Sequence, residues 1–323
     1  MKRFFLKLAA FILALTLPFA AFIFYLQSLP NLYEGSLMGI TSKKLTLLSQ
    51  LSSPKMIVVG GSGAPYGVVC ADVQDALDMP CFNLGSTAYV GMPFLLKQVR
   101  SSAKKGDIVV LAPEYIMYAG ERSYTTVWCA LENHANVWAN VPLSYWPGLL
   151  GSCYGFAKDK LALYRAKGAP EGNIDTHYAE AGLGPLGDHV QPRENILEHK
   201  YNTEDCRTVE QSTLTDEMLR ELNRFSRWAK AHGVTVYLTY APFNRLALLG
   251  TADDPTGLCG VDALQERLLA ECDIPWLGTL REGIMSEDYF YNSNNHLNTA
   301  GAKLRTADLI ADLQAAGMKS DLA

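Results

Sequence analysis

The apolar residues of this chain fall into one long run and several short ones. The long run covers residues 8–26, where no charge appears and only Thr16 and Pro18 break the apolar character. A helix of about 20 such residues spans the hydrocarbon core of a bilayer. The short runs are β-rich and continuous rather than alternating: residues 56–59, 81–84, 107–111, 234–240 and, more weakly, 274–277. Continuous runs of that length predict strands buried on both faces, as in a parallel sheet. Between them, apolar positions recur at helical spacing, as in Val69, Val73, Ala76 and Leu77, or Met218, Leu222, Phe225 and Ala229. Thr213, Thr215 and Asp216 offer N-cap chemistry for the second of these helices, Gly233 follows its end, and residues 300–316 predict a last helix. The alternation predicts an α/β fold, with a doubly wound, mostly parallel five-stranded sheet and right-handed crossovers.

Residues 120–212 do not alternate. They hold Trp128, Trp138 and Trp146 among many Tyr, Gly and Pro residues. A structureless loop of that length is out of keeping with a compact domain. The stretch is therefore expected to be an inserted subdomain. It is either a cap over the carboxyl edge of the sheet or a peripheral packing element. The chain divides into a tail at 1–7, an anchor at 8–26, a juxtamembrane segment at 27–54, an α/β domain at 55–119 and 213–323, and the insert.

Charge sets the expected topology. Lys2, Arg3 and Lys7 precede the long run with no acid among them. The positive-inside rule then keeps the N-terminus in the cytoplasm and exports the main domain, giving a single-pass protein of the cell membrane. A cleaved signal peptide is the competing reading. The run is long for one, and Phe19-Ala20-Ala21-Phe22 is a poor small-residue cleavage site. The whole chain carries a net charge of −5. Residues 1–26 hold three bases and no acid, which leaves 25 basic against 33 acidic groups, a net −8 for the exported part. That balance argues against a nucleic-acid partner. With 49% hydrophobic and 19% charged residues, low-complexity disorder is excluded as well.

Seven cysteines without a C-x-x-C support neither a zinc ribbon nor a thioredoxin-type site. In an oxidising compartment Cys259–Cys272 is a plausible disulfide, as are pairs among Cys129, Cys153 and Cys206. Cys70 and Cys81 lie in apolar runs and read as buried thiols. His134, His177, His189, His199 and His232 show no ligand spacing, so no catalytic metal and no cofactor is expected.

Candidate chemistry sits at the carboxyl ends of the predicted strands, where sites form in doubly wound sheets. The first strand runs into Gly60-Gly61-Ser62-Gly63-Ala64-Pro65-Tyr66-Gly67. Ser62 reads either as the N-cap of a Gly-rich βα turn or as an exposed nucleophile whose own N–H favours negative charge. The turn lacks the Gly-Lys-Ser/Thr of a P-loop, the third Gly of a dinucleotide fingerprint and the last Gly of G-x-S-x-G. The second end is Asn83-Leu84-Gly85-Ser86, where Gly85 allows close backbone approach to a ligand. The third, Leu111-Ala112-Pro113-Glu114-Tyr115, places a carboxylate at a strand end, as a site group or a solvated loop residue. His296 precedes the last helix, far in sequence from Ser62 but expected on the same sheet edge. Serine is a weak nucleophile and needs such a base.

These blocks resemble the SGNH (GDSL-like) hydrolase superfamily. The Gly-Gly-Ser turn, the Asn-Leu-Gly block, Gly-Asp-Ile-Val-Val followed by Pro-Glu-Tyr, and His296-Leu297-Asn298 with Gly301 are closest to its membrane-anchored, exported branch. The likeness covers most of residues 1–115 and 234–310 and leaves out the insert. It implies an SGNH/flavodoxin-like three-layer fold, Ser62 as nucleophile, His296 as general base, and the Ser62 and Gly85 N–H groups as an oxyanion hole. Relatives of this branch partner membrane-bound O-acyltransferases that modify cell-surface polymers. By that implication the partners are the membrane, an acylated glycan or envelope polymer and an O-acyltransferase. Two departures stand out. The acid that usually lies three or four residues before the histidine is replaced by Ser293 and Asn292, and Pro113-Glu114-Tyr115 stands where the family has an oxyanion-donating Asn. Glu114 or Asp288 is then a substitute to orient His296. Two functions follow from this pattern. One is an extracytoplasmic esterase or O-acyltransferase working through an acyl-Ser62. The other is a catalytically degenerate accessory protein that binds a glycan or an O-acyltransferase.

Overall fold

The computed structural model of the chain describes residues 1–33, 35–166, 182–197 and 206–318, so His177 and His199 lie outside the described residues. All five expected strands form: β1 (Met56–Gly60), β2 (Cys81–Asn83), β3 (Ile108–Ala112), β4 (Thr235–Thr239) and β5 (Trp276–Leu277). They build one sheet in the order β2-β1-β3-β4-β5, and every pairing is parallel. This is a doubly wound order with its topological switch between β1 and β3.

Continuous apolar strands are buried on both faces because successive side chains point opposite ways. Ile57 and Val59 of β1, with Val109 and Leu111 of β3, join the core on one face. Met56 and Val58, with Val110, join the core on the other. The first face is covered by α5 (Met92–Ser102), α10 (Asp216–His232) and α11 (Leu258–Glu271). The second is covered by α4 (Cys70–Leu77) and α12 (Thr299–Ala315), giving three layers. The helix ends follow their residues. Thr215 accepts a bond from the Met218 N–H at the start of α10, and Gly233 takes the left-handed conformation at its end (φ 69°).

The N-terminal helix α1 (Lys2–Ser28) is long and apolar enough to cross a membrane. At 1.5 Å per residue it measures about 40 Å. Its last turn does not end in a loose tether. Leu26 and Leu29 pack on Ala157 of α9 (Trp146–Ala166). The juxtamembrane chain then forms α2 (Thr41–Gln50), which buries Leu45 and Leu48 in the first core.

Within residues 120–212, α7 (Tyr124–Leu131), α8 (Ala135–Trp138) and α9 contribute Val127, Trp128, Val137 and Phe156 to that same core. These helices thus share the core of the sheet. The later described part of the stretch, residues 182–197, runs beside the edge strand β2 and reaches Pro65. There the Leu186 carbonyl accepts from the Asn83 N–H at 2.8 Å, and the His189 N–H donates to the Pro65 carbonyl at 3.0 Å.

The expected disulfides are absent, and all seven cysteines are thiols. Cys259 lies in the first turn of α11 and Cys272 just past its end. Thirteen residues of helix separate them by about 20 Å, whereas a disulfide needs Cα atoms within about 7 Å. The pair read from spacing is therefore ruled out by the helix between its members. Cys70 and Cys81 are buried as expected, with their sulfurs 3.2 Å apart. Burial pushes the Cys70 thiol up.

Candidate active site

The switch between β1 and β3 brings Ser62 and Glu114 together, since each follows the carboxyl end of one of these neighbouring strands. Ser62 precedes the short helix α3 (Gly63–Gly67) and makes no side-chain capping bond. Ser62 thus holds the N-cap position, and its hydroxyl is not spent on the helix. The glycines before it answer to close packing. A Cβ on Gly60 would stand 2.4 Å from the Ala112 carbonyl oxygen, and one on Gly61 would stand 2.3 Å from Glu114 Oε1.

A cavity of about 530 Å³ opens above this edge, and Ser62, Glu114, Ser293, Asn295 and His296 line it. Leu37 and Met38 line it too, so the chain leaving α1 forms part of its wall. Thr126 and Arg207 of the 120–212 stretch also reach it.

His296 is held from three sides. Its Nδ1 lies 2.8 Å from Asn292 Oδ1. An amide oxygen only accepts, so Nδ1 carries the proton and Nε2 keeps its lone pair. The His296 ring stacks on Tyr66 of α3, with centroids 4.2 Å apart and planes 13° apart. Its backbone N–H donates to Ser293 Oγ at 3.2 Å. Asn292 therefore orients the imidazole and Ser293 shapes the turn. Neither Glu114 nor Asp288 takes the Nδ1 position. Asp288 accepts from Ser286 Oγ and, through its carbonyl, from Asn298 Nδ2. Asn298 also caps α12 by accepting from the Gly301 N–H.

Gly85 does not play the part read from sequence. Its N–H donates to Asn83 Oδ1 at 3.0 Å, and Gly85 is not among the residues lining the cavity. Asn83 Nδ2 in turn donates to the Ala64 carbonyl at 2.8 Å. The Asn-Leu-Gly block thus ties β2 to the turn that carries Ser62. Gly85 is required because a Cβ there would meet Pro65 and Ala64 at 2.6 and 2.7 Å. Glu114 is 6% exposed, and its Oε1 accepts from the Gly63 N–H at 2.7 Å. A carboxyl group therefore stands beside the Ser62 turn.

Several residues behind the site carried no sequence signal. Arg193 is buried and donates to the carbonyls of Leu297, His189 and Tyr66 at 2.7–2.8 Å, tying residues 182–197 to both halves of the site. His189 stacks on Tyr66 at 4.3 Å. Burial, with the Lys44 and Arg193 charges adding to it, lowers its pKa to about 3, so it stays neutral. Among the described residues no His/Cys/Asp/Glu group is placed to hold a metal ion.

Lys44 of α2 is fully buried, and its Nζ donates to the Gly85 carbonyl. Burial lowers its pKa from the ordinary 10.5 to about 7, against the pull of Asp188 and Cys70. Below about pH 7 both folded and unfolded chains hold the proton, and the cost of burying the charge is felt in full. Between about 7 and 10.5 the unfolded chain holds more protons, so stability rises with pH. The slope from one group is at most about 1.4 kcal/mol per pH unit. Lys44→Met is expected to remove this rise. Urea unfolding at pH 6.5 and 9.5 checks it, and an unchanged pH dependence in the variant would refute the assignment to Lys44.

No family model matches the chain and no curated protein matches it in sequence. Among solved structures it is similar to the protein YxiM from Bacillus subtilis, with 10% identity, 83% of this chain covered and a TM-score of 0.35. The chain spans 58% of the length of that protein. A likeness at that score assigns neither activity nor site residues to this chain.

Proposed function

We propose that this protein is a membrane-anchored acyl-ester hydrolase or O-acyltransferase whose nucleophile is Ser62. The observation that carries this reading is the 2.8 Å bond between His296 Nδ1 and Asn292 Oδ1, which leaves Nε2 basic in a histidine that lines the same cavity as Ser62. In the proposed reaction Nε2 takes the Ser62 hydroxyl proton as Oγ attacks an ester carbonyl. The tetrahedral intermediate collapses, the C–O bond to the alcohol breaks, and His296 protonates the departing oxygen. Water, or the hydroxyl of an acceptor, then attacks the acyl-Ser62 carbonyl with His296 again taking the proton; the bond from the acyl carbon to Ser62 Oγ breaks, and His296 returns the proton to Oγ. The Ser62 N–H is the proposed donor to the oxyanion. The resemblance to exported SGNH proteins supports an acylated glycan or envelope polymer as substrate, outside the cytoplasmic membrane. The Leu37–Met38 wall supports a substrate met close to the anchor.

A second reading is favoured by Gly85 and Glu114. One expected oxyanion donor is committed to Asn83, and the other is replaced by an acid. A negative carboxylate there opposes a developing oxyanion, which suits an accessory protein that binds the polymer or an O-acyltransferase without turning it over.

A fluorophosphonate probe separates the two. The enzyme reading expects covalent labelling of the wild type, its complete loss in Ser62→Ala and a loss of at least about a hundredfold in rate in His296→Ala. Equal labelling of wild type and Ser62→Ala, or no labelling of either, leaves the binding reading standing.

A further inference from the structure

One stripe of α9 is apolar along most of the helix but covered over only half of it. Trp146, Leu150, Tyr154, Ala157 and Leu161 recur at spacings of four and three, which places them on one side of an α-helix. The C-terminal half of the stripe, Ala157 with Leu161, seats Leu26 and Leu29 at the end of α1. The N-terminal half is bare. Trp146 is 42%, Leu150 53% and Tyr154 81% exposed, and Leu143, just before the helix, is 86% exposed. Residues 133–157 contain no Asp, Glu, Lys or Arg. Helices that face water carry charge on their exposed side, and contiguous exposed apolar patches mark surfaces that meet a partner.

The anchor indicates which partner. The exit of α1 is held against α7 and α9 by more than the leucines. Glu132 accepts the Leu32 and Tyr33 N–H groups at 2.9 and 3.1 Å. Asn133 Nδ2 donates to the Leu29 carbonyl at 2.8 Å. Lys160 of α9 pairs with Glu132 at 2.9 Å. The last turn of α1 is therefore docked on α9. A helix that crosses a bilayer leaves it through the interfacial layer; α9 meets α1 at that exit, and the bare half of its stripe continues from this contact. Trp and Tyr are the residues enriched there, because one end of each ring is apolar and the other takes hydrogen bonds.

We propose that the N-terminal half of α9 lies on the bilayer that α1 crosses, with Leu143, Trp146, Leu150 and Tyr154 seated at the headgroup level. The inference rests on α1 being a span and is independent of any chemistry at Ser62. It makes the domain a body fixed on the membrane surface, not one swinging on a tether.

The test is fluorescence of the full chain in phosphatidylcholine nanodiscs whose acyl chains carry bromine near the headgroup end. Trp146 is one tryptophan of five, and α1 contains none. Bromination is expected to lower wild-type emission by about one fifth, the share of one tryptophan. Trp146→Phe should show no such fall. The double variant Leu150→Glu, Tyr154→Glu keeps Trp146 and should also lose it. Equal quenching of wild type and Trp146→Phe overturns the proposal. So does a wild type that is held in the discs but not quenched, which would leave the stripe to a protein partner. A chain that fails to enter the discs overturns both the seat and the span, while fluorophosphonate labelling would still report on Ser62.

Discussion

Asn292→Asp is expected to raise turnover of an aryl ester by about 10² to 10⁴. Asn292 Oδ1 already sits 2.8 Å from His296 Nδ1, so orientation and tautomer are in place. What the amide lacks is charge. In the proposed reaction His296 becomes an imidazolium when it takes the Ser62 proton, and a carboxylate at this distance stabilises that cation where a neutral amide does little. In a serine protease the reverse change, Asp to Asn, costs about 10⁴ in turnover, part of it through the wrong tautomer. The gain here is therefore at most of that size. The sign of the pH effect follows from the same charge. A carboxylate favours the protonated ring, so the His296 pKa rises and the acid limb of the pH–rate profile moves to higher pH. Steady-state kinetics from pH 5 to 9 check both points. A turnover unchanged in Asn292→Asp, with an unshifted acid limb, would refute the Ser62–His296–Asn292 relay.

The second large effect concerns the seat of α1. Glu132 and Lys160 are both fully buried, and Glu132 also accepts the Leu32 and Tyr33 N–H groups. Glu132→Ala leaves a buried ammonium without its counter-charge and orphans two N–H groups. Breaking a buried pair on one side costs about 3–5 kcal/mol. Urea unfolding should show a loss of that size. Replacing both partners with apolar residues of similar volume, Glu132→Leu with Lys160→Met, should recover part of it, since no unpaired charge remains. A double variant no more stable than Glu132→Ala would show that the bonds to Leu32 and Tyr33, and not the ion pair, carry the stability.

Local features of this chain are legible in its sequence, and distant pairings are not. The five strands were legible because each is a continuous apolar run, and burial on both faces of a parallel sheet demands that pattern. Ser62, Glu114 and His296 were legible as residues at strand ends or before the last helix, where a doubly wound sheet gathers its chemistry. Asn292 was visible as a substitution four residues before His296, though its partner was not. Gly85 was misread because its motif placed it near an oxyanion, whereas the Asn83 amide two residues earlier claims its N–H. The Cys259–Cys272 pair failed for a related reason. Separation along the chain does not reveal that a straight helix holds the two residues apart.

Period and composition therefore determined the sheet, the long N-terminal helix and the candidate nucleophile and base, because each depends on neighbours within a few residues. Tertiary packing alone decided which donor meets which acceptor. Lys44 behind Gly85, Arg193 across Tyr66 and Leu297, and Glu132 under the end of α1 join segments about 40 to 230 residues apart. Nothing local distinguishes these residues from solvated charges. A buried polar group must find a partner or bear the desolvation cost, and that partner is supplied by whichever distant segment the fold packs against it.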